Sequence, residues 1–479
     1  MRGRTAMNRE LEYGVVGILD VARLELQRRN LVTFDRNPIW RWLWNQLKRI
    51  DVEVRFVDWQ GENKEHMEDE FDTLIVYIDH YIPKWLKKDL EYIFAGRKKV
   101  EVYFCGYLPT IKESELQREF SGGINIWRGT LERTLGDFCR KVYASKGEVY
   151  EECYEYPGEG VICETDREEC RNMFFSGKVG IVQSSVGCPR RCLFCRYSEY
   201  YHTWGKESYV QYPMQVIVAQ MKEMVCRFDI HFFRFLDSNF LGVGRQIEQR
   251  MEEFVQQVNL QDLKAIFAIH CRSDAVSRAI ISKLKTVGLR YVTIGIESMS
   301  ESQLKRLGKQ EITETHRNAV KILGEEGIHT QAYIILADPL VTREELIESL
   351  EGICELCKSV QIVVNEKLVL YSDSLYYKKY GAEIDVKGTE SGTLENVLQY
   401  DFVDGWCKKY FGYLEEISIS LKEIIMAEAQ RRKVGEAYLR RATLHRMKAL
   451  LELVKTDIPD ERRVSSIRQK AVRKIRDER

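Results

Sequence analysis

The chain has 479 residues, 44% of them hydrophobic and 30% charged, which supplies apolar material for sizeable cores and excludes wholesale disorder. Lys plus Arg and Asp plus Glu each number 73, so the formal charge is zero and gives no reason to expect general affinity for nucleic acid. No apolar run reaches the roughly 18–20 residues of a membrane span.

The length gives two to four domains as a prior. The charged opening MRGRTAMNRE lacks the apolar segment of a secretory signal. Together with an odd total of 13 cysteines, this points to a reducing, cytoplasmic setting. Clustered cysteines there suggest metal or redox chemistry before disulfides.

Up to residue 145 short apolar runs alternate with amphipathic segments. Tyr13–Leu19, Val52–Val57, Thr73–Ile78, Val100–Cys105 and Gly123–Trp127 read as strands. Pro38–Lys48, Pro83–Phe94, Lys112–Phe120 and Leu131–Val142 read as helices. Such alternation predicts a parallel sheet with helices on its faces, a Rossmann-like domain over residues 10–145. Residues 146–178 are acidic, carry the turn signal YPGEG and read as a linker.

The alternation then restarts. Val179–Ser184, His231–Leu236, Ala265–Cys271, Tyr291–Ile296, Gln331–Leu336 and Gln361–Val364 read as six strands. Met214–Cys226, Gln246–Val258, Ala275–Val287, Glu314–Glu326 and Arg343–Cys357 read as the helices among them. A partial (β/α)6 barrel of the TIM type over 179–370 accounts for this better than a second small sheet. Residues 371–479 read as mainly helical, and the closing segment sets Val464, Ile467, Ala471 and Ile475 on one face, as in a capping helix. The fold class is therefore α/β: sheet, barrel, helical tail.

The sharpest local signal is GCPRRCLFC, in which Cys188, Cys192 and Cys195 are spaced C-x3-C-x2-C directly after the first barrel strand. A short loop there converges three thiolates on one point, as an iron–sulfur cluster requires. Three thiolates leave one iron of a four-iron cluster open to bind a small molecule. A structural zinc with His202 as fourth ligand is the competing reading, as are three unrelated reduced cysteines.

This spacing, with an aromatic residue (Phe194) before the last cysteine, resembles the signature of radical S-adenosylmethionine (SAM) enzymes. The resemblance continues through LDSNF at Leu236–Phe240, CRSD at Cys271–Asp274, IGIES at Ile294–Ser298 and LKRLGK at Leu304–Lys309. It extends to ADPLVT at Ala337–Thr342, where Ala337 and Asp338 depart from the usual glycine-bearing turn. It implies a [4Fe–4S] cluster on the three cysteines, with SAM chelated at the open iron. It also implies Phe194 beside the adenine and Asp237, Ser238 and Asn239 near the methionine amino end. Arg272, Glu297 and Ser298 would line the carboxylate and ribose side. Reductive cleavage would yield a 5′-deoxyadenosyl radical that takes hydrogen from a small-molecule substrate, with a flavodoxin- or ferredoxin-type electron donor. From the residues alone, Asp237 and Asn239 also fit an Asx turn, Arg272 a structural pair with Asp274 or Glu297, and Glu297 a buried carboxylate.

A Rossmann-like domain ahead of such a barrel resembles the cobalamin-binding branch of that family. CGYLPT at Cys105–Thr110 and WRGTLERTL at Trp127–Leu135 carry the likeness, both at carboxyl ends of strands, where ligands bind in open α/β sheets. Cys105, Thr130 and Leu131 depart from the pattern, no D-x-H-x-x-G loop is present, and Asp79, His80 and Tyr81 are bulky. The sequence leaves open cobalamin-dependent methyl transfer and cobalamin-free dehydration, epimerisation or rearrangement. A non-catalytic iron–sulfur or zinc scaffold is the alternative outside enzymes. Cys354 with Cys357, Cys163 with Cys170, and Gly242 with Gly244 are weaker signals of a second metal or nucleotide site.

Overall fold

The computed structural model describes residues 15–20, 43, 47, 50–56, 72–79, 82–95, 99–121, 123–149, 171–172, 175–204, 208–244, 246–389, 397–433 and 435–478. Most of the expected Pro38–Lys48 helix, most of the 146–178 linker, His80, Tyr81, Cys163 and Cys170 lie outside them. The chain divides into two compact units. One comprises residues 1–183, 200–231 and 390–396; the other comprises 184–199, 232–389 and 397–479.

In the first unit, β1 (Val15–Asp20), β2 (Glu53–Phe56), β3 (Thr73–Tyr77), β4 (Glu101–Cys105) and β5 (Asn125–Ile126) form a five-stranded sheet in the order β2-β1-β3-β4-β5. All its pairs are parallel. Alternate residues feed two cores, as a parallel sheet covered on both faces requires. Val16, Val54, Ile75, Tyr103 and Cys105 pack with Leu135 and Phe138 of the Leu131–Ser145 helix. Leu19, Leu74, Val76, Val102 and Phe104 pack with Leu86 and Leu90 of the Lys84–Ala95 helix. The expected Rossmann-like sheet is present, with an additional short helix at Tyr107–Ile111.

The short β6 (Arg171–Asn172) pairs antiparallel with β7 (Phe175–Val182), the first strand of the barrel series. β8 (Ser185–Gly187) and β9 (Tyr209–Gln211) follow, separated by a helix at Arg196–Trp204 that the sequence pattern did not reveal. In the second unit, β10 (Phe232–Phe235), β11 (Ile266–Arg272), β12 (Leu289–Glu297), β13 (His329–Ala337) and β14 (Gln361–Lys367) are parallel neighbours in sequence order. Helices at Gln246–Leu260, Arg278–Thr286, Thr313–Glu325 and Arg343–Leu356 intervene, the last opened by a capping box of Thr342 and Glu345. All six expected strands of the (β/α)6 series form.

The region after residue 370 is not helical throughout. β15 (Leu370–Tyr371), β16 (Asp385–Thr389) and β17 (Val397–Asp401) make a small antiparallel sheet before the helices Gly405–Arg432, Glu436–Val454 and Glu461–Asp477. Its strands are too short and too polar to show a period of two. In the last helix Val464, Ile467, Ala471 and Ile475 are the buried residues, as their spacing predicts.

Candidate active site

The cysteine loop is fixed through Leu193. Its backbone N–H donates to Leu307 O at 2.9 Å, and its carbonyl accepts from Tyr376 N at 2.8 Å. Gly308 makes the first contact feasible: with φ +69°, a Cβ there would stand 2.6 Å from Leu193 Cγ and 3.0 Å from its backbone N. Leu193 and Phe194 rest against a cluster of Leu307, Ile335, Leu368, Leu370 and Tyr376. The loop holds Cys188, Cys192 and Cys195 as reduced, partly exposed thiols.

Asp338 explains one departure in ADPLVT. Its fully buried carboxylate accepts from Arg306 Nε and Nη2, each at 2.9 Å, from Gln303 Nε2 at 3.1 Å and from Tyr376 OH at 2.5 Å. A glycine at this position would leave Arg306 and Tyr376 without that acceptor. The same tyrosine then reaches Leu193 through its backbone N–H.

Beneath the loop runs a chain of alternating charges. Arg272 Nη1 donates to Cys192 Sγ at 3.2 Å. Its Nε donates to Asp274 Oδ1 at 3.3 Å, and its Nη2 lies 2.9 Å from Glu311 Oε2, a charge contact without hydrogen-bond alignment. Asp274 also takes Arg190 at 2.6 Å. Glu311 lies 3.3 Å from Lys309 Nζ, which donates to Gly295 O at 2.6 Å and to Glu297 Oε1 at 3.0 Å. Burial opposes the charges on Arg272 and Lys309. For Arg272, Cys192, Glu311 and Asp274 outweigh it, and for Lys309, Glu297 and Glu311 do, so both pKa values rise. Glu311 and Lys309 belong to this set although sequence reasoning singled out neither. Lys309 stood inside a quoted motif, but Glu311 had no pattern to mark it.

Glu297 adopts φ +66°, an uncommon left-handed conformation for a residue with a side chain, at the register shift that ends β12. A Cβ at Gly295 would come within 2.5 Å of Glu297 Oε1 and 3.0 Å of Lys309 Nζ, so a side chain there would displace the pair. Arg272 pairs with Asp274 and Glu311, whereas Glu297 pairs with Lys309.

The residues after β10 divide. Asp237 is buried and accepts from Ser184 N at 3.0 Å, Ser184 Oγ at 2.7 Å and Ser185 Oγ at 2.5 Å. Burial raises its pKa against the pull of those donors. Ser238 is exposed. Asn239 donates to Gly242 O at 2.7 Å, while its buried carboxamide oxygen has no donor among the described residues. Ser298 is fully buried, donates to Gln303 Oε1 at 2.5 Å and accepts from Ser300 N at 3.0 Å. Asp237 and Ser298 are thus spent on hydrogen bonds within the fold, whereas Ser238 and the Asn239 oxygen are unspent.

Among the described residues no three His, Cys, Asp or Glu side chains gather as ligands of a single ion. The donor set instead fits an iron–sulfur cluster: three reduced cysteines on one pinned loop, with a guanidinium against one sulfur to offset thiolate charge. The unfilled Asn239 acceptor is of the kind an ammonium group would take. Residues 182–353 match the model of the radical SAM superfamily.

This segment is a radical SAM domain. The family implies a [4Fe–4S] cluster and SAM as cofactors. The chain is 25% identical over 174 residues to an anaerobic magnesium-protoporphyrin IX monomethyl ester cyclase of Rubrivivax gelatinosus, covering 36% of this chain and 30% of that protein. It is 23% identical over 265 residues to the ribosomal protein uS12 methylthiotransferase RimO of Clostridium botulinum, covering 54% and 52%. It therefore spans about half or less of the length of these curated relatives. Among solved structures it resembles the cobalamin-dependent SAM radical enzyme OxsB, with TM-score 0.73 and 16% identity over 97% of this chain and 75% of that one. It also resembles the radical SAM methyltransferase TsrM from Kitasatospora setae, with TM-score 0.58 and 13% identity over 79% of each. At these identities the likeness is one of fold, and with OxsB it takes in the first, cobalamin-binding-like sheet as well as the barrel.

The strand ends of that sheet are filled at β3 to β5. The Tyr77 ring lies against Gly106, where a Cβ would come within 2.6 Å of it. Thr110 Oγ1 donates to Gly106 O at 2.7 Å and accepts from Gly129 N at 3.0 Å. Gly129 O takes the Tyr200 hydroxyl at 2.5 Å, and Thr130 N donates to Trp204 O at 3.5 Å. Gly106, Thr110, Gly129 and Thr130, which lie in the two segments that carry the sequence likeness, are thus engaged within the protein. The loops after β1 and β2 lie outside the described residues.

Proposed function

We propose that this protein is a radical SAM enzyme that removes a hydrogen atom from a small biosynthetic substrate without cobalamin, leading to dehydration, epimerisation or rearrangement. The observation that carries the reading is the pinned Cys188–Cys192–Cys195 loop with Arg272 against Cys192. Cys188, Cys192 and Cys195 would hold a four-iron cluster, which when bound would supply one-electron reduction of the SAM sulfonium. The chain's own groups bind and aim. Phe194 offers an apolar face to adenine, and Ser238 with the Asn239 oxygen receives the ammonium. Arg272 and Glu297 serve the carboxylate and ribose, while Asp237 and Ser298 position these groups from within the fold. A flavodoxin or ferredoxin supplies the electron. No helix among the described residues is long and apolar enough to cross a membrane, and we place the reaction in the cytoplasm.

The fold shared with OxsB and TsrM supports a second reading, cobalamin-dependent methyl transfer. Anaerobic purification with cobalamin supplied separates the two. About four irons with no cobalt per chain, and 5′-deoxyadenosine as the SAM product, support the first. One cobalt per chain and S-adenosylhomocysteine beside 5′-deoxyadenosine support the second. Zinc in place of iron refutes both.

A further inference from the structure

The inner face of the barrel strands holds polar side chains that the cofactor site leaves unused. On the outer face Phe233, Phe235, Phe267 and Ile269 are buried, and Phe254 of the Gln246–Leu260 helix packs on Phe235 and Phe267. The residues between them point the other way. Strand register sets His270 beside Thr293, Thr293 beside Gln331 and Gln331 beside Gln361, one row across the barrel. All four stay partly exposed. Closed barrels fill this space with bulky branched residues; this row is polar instead.

The charge on this face is positive. Arg234 aligns with Ala268, two residues before His270, is exposed, and has no hydrogen-bond or ion-pair partner among the described residues. His270 likewise has no side-chain hydrogen bond there. Burial, with Lys309 and Arg234 beside it, pulls its pKa down to about 4, so the ring is neutral and free to donate or accept. Of the carboxylates near this face, Glu297 and Glu311 are already held by Lys309, and Glu436, beside Tyr291 at the Ala268 level, is paired with His329.

We infer that the inner face of β10–β13 is a substrate subsite for a small organic anion bearing hydroxyl groups, in which Arg234 takes the carboxylate or phosphate and His270, Thr293 and Gln331 take the hydroxyls. The inference rests on the proposed hydrogen abstraction and names its substrate class. From the Arg234–Ala268 level to Arg272 is four residues of strand, about 13 Å. A sugar-sized molecule anchored at Arg234 therefore lies along His270 and Thr293, below the cofactor residues.

The test is titration calorimetry on the full chain with three probes: gluconate, glucose 6-phosphate and glucose. Binding of either acidic probe with no detectable binding of glucose is the expected result, and whichever acid binds tells carboxylate from phosphate. Arg234→Gln is expected to weaken that probe by about 10- to 100-fold, and Thr293→Val by about 5- to 10-fold. Both are compared with the wild type by thermal melting, so that loss of binding is not loss of fold. Acidic probes that bind no better than glucose, or equally well to a folded Arg234→Gln, overturn the subsite. Iron content and SAM cleavage are read separately on reconstituted wild type, so failure of the radical reading and failure of the subsite are told apart.

Discussion

Lys309→Met removes a cation that Glu297 and Glu311 share. The Lys309 side chain is 2% exposed and Glu311 fully buried, so Glu311 cannot turn to water without opening the barrel, whereas Glu297 is 14% exposed. Removing one partner of such a buried pair costs about 3–5 kcal/mol, mostly the penalty of the charge left behind. For a unit of this size that corresponds to a fall of about 10 °C in its unfolding transition, read by scanning calorimetry on the full chain. Gly295 O also loses its donor, which adds about 1 kcal/mol. The double variant Lys309→Met/Glu311→Gln removes the buried charge left with Arg272 alone and is expected to recover about half of the loss. A single variant that unfolds within about 2 °C of wild type, or a double variant no better than the single, refutes the account of this charge chain.

Cys192→Ala is expected to abolish iron retention and SAM cleavage together, measured by iron analysis and 5′-deoxyadenosine formation. Gly308→Ala drives a Cβ into Leu193 at a positive φ; a loss of about 1–3 kcal/mol and reduced iron content in reconstitution are expected. His316 is fully buried, bonded to Ser273 at 2.7 Å, and burial pulls its pKa down to about 3. Its folded pKa lies below the unfolded value, so its contribution is complete above about pH 6.5 and declines by up to about 1.4 kcal/mol per pH unit as pH falls toward 3. His316→Gln flattens that slope in denaturant titrations at pH 7 and pH 5; an unchanged slope counts against a neutral buried imidazole.

The cysteine spacing was legible because a cluster loop must be short, and its ligands therefore sit together in sequence. The strands and most helices were legible because burial imposes a period on them. Glu311 was not: it becomes important only when folding brings Arg272 and Lys309 to either side of it. Nor does sequence reveal which polar groups are already spent. Asp237 and Asn239 sit two positions apart, yet three donors occupy the first while an acceptor on the second stays open among the described residues. The Arg196–Trp204 helix was hidden by aromatic residues spread around it, and β15–β17 by their brevity.

The two hydrogen bonds that clamp Leu193 come from residues made much later in the chain. At ordinary rates of synthesis Tyr376 leaves the ribosome roughly 10–40 s after the cysteine loop. Until then the loop has neither its partner for the Leu193 carbonyl nor the side chains of residues 368–376 beneath it. A cluster on this loop would therefore have to wait until the chain has grown past Tyr376, and fragments that end before it are expected to retain no iron on reconstitution.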